Sequence, residues 1–150
     1  MARKKYGNQI PTQAVLVPFV KKRSLAKEAI EIYEKTGLSC YTWQKKLLEP
    51  VMALDKKGLW VHQKFGYSIP RRNGKSEILY IVELWALHKG LNILHTAHRI
   101  STSHSSFEKV KRYLEKMGYK DGEHFNSIRA KGQERIELYS TGGVVQFRTR

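Results

Sequence analysis

Apolar positions along the chain fall into short periodic blocks, separated by glycine, proline and charged turns. Residues 24–35 read as a helix: Leu25, Ala29 and Ile32 share a face, Ser24 is placed to cap it and Gly37 to stop it. A second helical block starts near Thr42 and puts Trp43, Leu47, Val51 and Leu54 on one face, with Pro50 set to break or kink it. Residues 60–69 read as extended, because Phe65, Tyr67 and Ile69 alternate with Gly66 and Ser68. Residues 76–88 are apolar on nearly all sides, which predicts a largely buried helix ending at Gly90. Residues 92–96 form a short apolar strand, expected to lie parallel to the one before the helix. Ser105 and Glu108 make a capping-box pattern for a further helix, with Phe107, Val110, Leu114 and Met117 on one face and Gly118 at its end. Residues 135–139 and 144–148 read as two strands joined around Gly142-Gly143, a hairpin.

The junction between the extended block and the buried helix carries the candidate chemistry. It reads Ile69-Pro70-Arg71-Arg72-Asn73-Gly74-Lys75-Ser76, the ending of a phosphate-binding loop. The usual G-x-x-x-x-G-K-[ST] pattern places its first glycine where this chain has Ile69. A phosphate group needs inward-pointing backbone N–H groups, the positive end of a helix, a lysine, and a hydroxyl close to Mg²⁺. Gly74 allows close approach of the backbone, Lys75 reaches the β- and γ-phosphates and Ser76 offers its hydroxyl to the metal. Arg71 and Arg72 add charge that such loops ordinarily lack. Strand, phosphate loop, helix and strand make a βαβ unit of about 30 residues.

Charge sharpens the picture. There are 28 Lys+Arg against 13 Asp+Glu, a formal net charge of +15, spread along the chain from Arg3-Lys4-Lys5 to the 109–120 region. That balance favours a polyanionic partner, nucleic acid first and an anionic membrane second. Cys40 is the single cysteine, so no intrachain disulfide forms, which suits a reducing compartment. No apolar run approaches the roughly 20 residues that span a bilayer. After Ser76 no apolar strand ends in the Asp or Asp-Glu that holds Mg²⁺ and activates water in ATPases of this class. Asp121, Glu123, Glu134 and Glu137 are expected to be surface charges. The expectation is a chain that ends before its catalytic carboxylates.

Taken in order, three segments resemble the large terminase subunit of tailed bacteriophages, the motor ATPase that packages DNA. They are Tyr41-Thr42-Trp43-Gln44 with Leu47-Leu48-Glu49-Pro50, the loop Ile69 to Ser76, and Leu94-His95-Thr96-Ala97-His98 followed by a helix. The likeness covers about residues 38–150, and the loop with its lost glycine and added arginine is its most specific part. It implies an α/β fold of the P-loop NTPase class, RecA- or helicase-like, a parallel sheet flanked by helices and incomplete at the C-terminus. Residues 1–36 would be a lead segment with a helix, and residues 37–150 the front part of the ATPase domain. ATP and Mg²⁺ would be the cofactors. Lys75 and Arg71 would be catalytic; Arg72, Asn73, Gly74, Lys75, Ser76 and Gln44 would bind nucleotide, and Ser76 would hold Mg²⁺. Double-stranded DNA, a small terminase subunit, the portal and copies of the same subunit in a ring would be partners, in the host cytoplasm and away from membranes. The parent protein would also carry a metal-dependent nuclease, to which no residue of this chain is assigned.

Individual residues carry alternatives. Gln44 is chemically apt to make a two-pronged hydrogen bond with adenine, and equally an exposed helix glutamine. Trp43 reads better as a buried anchor than as a base-stacking group. His95, His98 and His104 lack the Cys or carboxylate that would complete a metal site, so packing and loop roles are expected. His98 and Arg99 come after a strand end, where ligands bind in such sheets. Lys109, Lys111, Arg112 and Lys116 are either a solvated helix face or a stripe of phosphate contacts. Arg129, Arg135, Arg148 and Arg150 are all candidates for a residue donated between subunits. Two other functions remain in view: a helicase-like nucleic-acid ATPase of another family, and a non-catalytic basic DNA-binding module.

Overall fold

The computed structural model describes residues 10–130 and 133–150, which fall into two compact units. The basic cluster at residues 3–5 lies outside the described residues. One unit comprises residues 10–27 and 40–68, and the other residues 28–39 and 69–150.

In the first unit a 3-10 turn, Lys21–Arg23, leads into α1 (Ala26–Glu34), most of which belongs to the second unit. Ser24 caps α1 as expected, its Oγ accepting from the Ala26 N–H at 3.2 Å while donating to the Glu49 carbonyl at 2.7 Å. Helix α2 spans Thr42–Val51, and Pro50 sits in its last turn, where the helix is ending anyway. The buried stripe of α2 is Gln44, Leu48 and then Met52, one step round from the expected Trp43 and Leu47 face.

The expected strand at residues 60–69 does not form. Trp60 bridges back to Leu54, and the Val61 N–H donates to the Ala53 carbonyl, around a turn held by Asp55. The Asp55 carboxylate accepts from the backbone of Lys57 at 2.8 Å and Leu59 at 2.9 Å. His62 pins the next stretch of chain: Nε2 accepts from the Val17 N–H at 3.1 Å and Nδ1 donates to the Pro50 carbonyl at 3.0 Å. Its ring also meets those of Phe19 and Phe65 edge-on. Phe65, Tyr67 and Ile69 do alternate in burial with Gly66, Ser68 and Pro70, yet they enter no ladder. Alternation reports a half-buried extended chain. Hydrogen-bonded pairing needs a neighbour as well.

The second unit is a four-stranded mixed sheet covered by two helices on one face. Its elements are α3 (Glu77–His88), β1 (Asn92–Ala97), α4 (Ile100–Lys116), β2 (Phe125–Ile128), β3 (Arg135–Leu138) and β4 (Gly143–Thr149). The strand order is β1-β4-β3-β2, with β1 parallel to β4 and the other two pairings antiparallel. The β3–β4 hairpin is as expected, and Gly142 (φ 71°) turns it. β2 was not foreseen: four residues with one buried aromatic, Phe125, give too short a pattern to read. A parallel sheet flanked by helices is the expectation; among the described residues the sheet is mixed, with β1–β4 its parallel pairing and α3 and α4 on one face.

Alternation in the strands explains the layering. His95, Phe125, Ile136, Leu138, Val145 and Phe147 are buried on one face. Phe147 meets Phe107 of α4 edge-on at 5.7 Å, and His95 bonds Glu83 of α3, so both helices cover that face. On the other face Leu94 is 62% exposed and Asn92 and Thr96 are exposed too. Helix α3 is buried on nearly all sides, as its sequence predicts, with Ile78, Ile81, Leu84 and Leu87 inaccessible. Its C-terminus packs against the hairpin turn so closely that a Cβ on Gly143 would lie 2.3 Å from the Leu87 carbonyl oxygen.

Helix α4 begins at Ile100, five residues before the expected cap. Ser105 is therefore an interior residue, and its Oγ donates to the Ser101 carbonyl at 2.8 Å instead of capping. The buried face of α4 carries Ser103, Ser106, Phe107, Val110, Tyr113 and Leu114. Met117 lies beyond it, and Gly118 (φ 89°) ends the run as expected.

Candidate functional site

The loop ahead of α3 is built by local chemistry. Arg72 (φ 65°) and Gly74 (φ 71°) both adopt left-handed backbone conformations within the turn that leads to α3. For glycine this costs little, but for arginine it stores roughly 1–2 kcal/mol of strain. Asn73 holds the turn from within, its Nδ2 donating to the carbonyls of Pro70 at 3.2 Å and Arg71 at 3.4 Å. Helix α3 then starts, with the Glu77 N–H donating to the Gly74 carbonyl and the Leu79 and Tyr80 N–H groups to that of Ser76. The Ser76 side chain makes no capping bond.

Around the loop lies an open cleft of about 550 Å³ lined by Pro70, Arg71, Arg72, Gly74, Lys75, Ser76, Glu77, Tyr80, Ser105 and Lys109. All of these belong to the second unit. Four cationic side chains thus face one carboxylate, at the positive end of a 12-residue helix. Such an arrangement attracts an anion of more than one negative charge.

Glu77, which the sequence did not single out, is held on both carboxylate oxygens. Its Oε2 accepts from the hydroxyls of Tyr113 at 2.6 Å and Tyr33 at 2.8 Å, and its Oε1 lies 4.0 Å from Lys109 Nζ. The tyrosines form a cluster: Tyr33 and Tyr80 both meet Tyr113 edge-on. Burial, reinforced by the neighbouring Glu77 carboxylate, pushes the Tyr113 hydroxyl far above the usual phenol range, so it remains a donor. Burial likewise raises that of Tyr80, which faces Ser106 Oγ at 3.3 Å.

The remaining candidates divide clearly. Arg71, Arg72, Gly74, Lys75 and Ser76 converge on the cleft, while Asn73 supports it from behind. Gln44 belongs to the first unit, is 2% exposed, and uses its Oε1 to accept from the Tyr41 N–H at 2.8 Å at the start of α2. It is therefore not the exposed helix glutamine of the alternative reading. His98 and Arg99 are exposed after β1. Arg129 pairs with Glu108 at 2.9 Å, Arg135 pairs with Glu137, and the Arg148 guanidinium bonds the Phe147 carbonyl and the Gln146 side chain. Lys111 pairs with Asp121 at 2.6 Å, in a knot closed by Ser127.

Not all the acidic residues are surface charges. Glu134 is 4% exposed, with Oε1 2.9 Å from His104 Nδ1 and Oε2 without a partner. A second buried carboxylate, Glu83, was hidden by its apolar neighbours in α3. It is 2.5 Å from His95 Nδ1, its Oε2 is unpartnered, and burial raises its pKa. Among the described residues, no three His, Cys, Asp or Glu side chains gather as a metal site. None of the helices there is long and apolar enough to cross a membrane.

No family model matches the chain, and no curated protein or solved structure matches it either.

Proposed function

We propose that the cleft at the start of α3 binds the phosphates of ATP with Mg²⁺, as the nucleotide-binding part of a DNA-packaging motor of the terminase large-subunit kind. One observation carries the reading: Arg71, Arg72, Lys75 and Ser76 meet in one cleft at a helix N-terminus, reached by a loop that turns through left-handed Arg72 and Gly74. Lys75 would contact the β- and γ-phosphates, Arg71 would stabilise charge on the γ-phosphate, and Ser76 would ligate Mg²⁺. The metal would draw charge from the phosphate oxygens. Among the described residues Glu77 is the single carboxylate lining the cleft, and the tyrosine hydroxyls on it compete with any role as a base. We therefore expect nucleotide binding by this chain and little hydrolysis. In the motor, hydrolysis would drive movement of double-stranded DNA into the capsid, with a small subunit, the portal and a ring of like subunits as partners in the host cytoplasm.

Calorimetric titration of the chain with Mg·ATP tests the proposal, with Lys75→Ala alongside. Saturable binding that disappears in the variant supports it. Absence of binding by the unmodified chain refutes it. The net charge of +15 supports a second reading, a basic module whose cleft holds nucleic-acid phosphates. In that case Lys75→Ala lowers DNA affinity slightly, reduces its salt dependence, and leaves no nucleotide binding to lose.

A further inference from the structure

We propose that Lys109 of α4 is the mobile cation of the cleft, held by Glu77 when the cleft is empty and transferred to the phosphates when they bind. The inference rests on the phosphate-binding reading of the same cleft and assigns a role to a residue outside the loop.

The asymmetry of the Glu77 carboxylate is the starting point. Two tyrosine hydroxyls donate to Oε2, from Tyr33 on α1 and Tyr113 on α4, and fix the carboxylate in place. Oε1 meets Lys109 Nζ at 4.0 Å, beyond direct hydrogen-bond length. This is a loose pair, with side chains 38% and 23% exposed, of the kind that contributes little to stability. The Lys109 ammonium also sits 5.1 Å from the centre of the Tyr113 ring, which steers its stem without satisfying its three donors. Glu77 is thus anchored, whereas Lys109 is oriented and under-bonded.

Position adds to this. Ser105 and Lys109 are one turn apart on the same side of α4, and both line the cleft. Arg71, Arg72 and Lys75 approach from the loop and Lys109 from α4, so two separate elements supply charge to one space. A phosphate oxygen offers an ammonium a shorter, charge-assisted bond than the 4.0 Å contact that it would give up. Polyphosphate binding then couples α4 to the loop by relocating one side chain, and Glu77 opposes that move.

The test uses the full chain and Mg·ATP as probe, read by calorimetry, with far-UV circular dichroism and urea midpoints to establish that each variant is folded. Lys109→Ala is expected to weaken binding about tenfold or more, the loss of one charged hydrogen-bond donor. Lys116→Ala removes the same charge from an exposed site on the same helix and is expected to change affinity less than about twofold. Glu77→Gln keeps an acceptor for both tyrosines while releasing Lys109, and is expected to tighten binding a few-fold, on the order of the charge competition removed. That gain should vanish in the Lys109→Ala background. If Lys109→Ala binds like the unmodified chain while Lys75→Ala has lost binding, the cleft reading stands and the role of Lys109 is overturned. Equal gains from Glu77→Gln in both backgrounds overturn the exchange. If the unmodified chain binds no Mg·ATP, both readings fall together.

Discussion

The buried pair Glu83–His95 joins α3 to β1, and its two halves are unequal. Side-chain exposure is 4% for Glu83 and 6% for His95, and Glu83 Oε2 has no partner. Replacing His95 by leucine strands a carboxylate in an apolar layer beside Phe147, and breaking a buried pair in this way costs roughly 3–5 kcal/mol. Replacing Glu83 by leucine leaves one unsatisfied polar group on the imidazole, and the cost is about 1–3 kcal/mol. Replacing both leaves no stranded group. That double variant should lie within about 1–2 kcal/mol of the unmodified chain, or exceed it in stability, since apolar replacement of a buried pair is often neutral or favourable. Proton linkage gives a further signature. Burial holds the folded-state pKa of Glu83 above the unfolded value, so its contribution is complete below the unfolded pKa and lost as pH rises through the folded one. Without His95 the carboxylate loses the partner that offsets burial, and the His95→Leu penalty should shrink on going from pH 8 to pH 5. Urea unfolding monitored by circular dichroism at both pH values measures all three variants. Additive costs in the double variant, or a Glu83→Leu penalty larger than that of His95→Leu, would refute the argument.

Individual residues carry the other expectations. Gly143→Ala should destabilise by about 1–3 kcal/mol, because its Cβ would meet backbone atoms of Leu87 that cannot swing aside; an unchanged urea midpoint would show that the contact yields freely. Arg72→Gly should raise the urea midpoint by up to about 1 kcal/mol in stability by relieving the left-handed conformation, while weakening Mg·ATP binding in calorimetry. A variant that loses both stability and binding would mean that the arginine is structural. Bonds from Lys89 and from Trp85 Nε1 at 3.0 Å hold the Glu28 carboxyl below its usual range. Its contribution is present above the unfolded pKa and lost as pH falls through the folded one, so Glu28→Gln should flatten the acid limb of the stability profile. An acid limb of unchanged slope would count against that assignment.

Elements whose pattern is local can be read from the chain alone. The all-round apolar run of α3, the strand before α4, and the hairpin at Gly142-Gly143 come from periodicity and turn chemistry, as do the stops at Gly37, Gly90 and Gly118. Five of the candidate groups, Arg71, Arg72, Gly74, Lys75 and Ser76, fall within six consecutive positions, so their convergence on one cleft was legible as a motif. Features that depend on neighbours come from packing. Residues 65–69 have the alternation of a strand and enter no ladder among the described residues, because a ladder needs a second chain segment that no one-dimensional pattern contains. Glu77, Tyr33, Tyr113 and Lys109 meet only because α1, α3 and α4 pack around the same space. Glu134 reads as a surface charge and Glu83 is masked by its apolar neighbours, yet both are buried, since a histidine from a distant element satisfies each of them in part. Local periodicity fixes which face of an element is apolar. Packing decides what that face meets, and with it which polar groups are left to do chemistry.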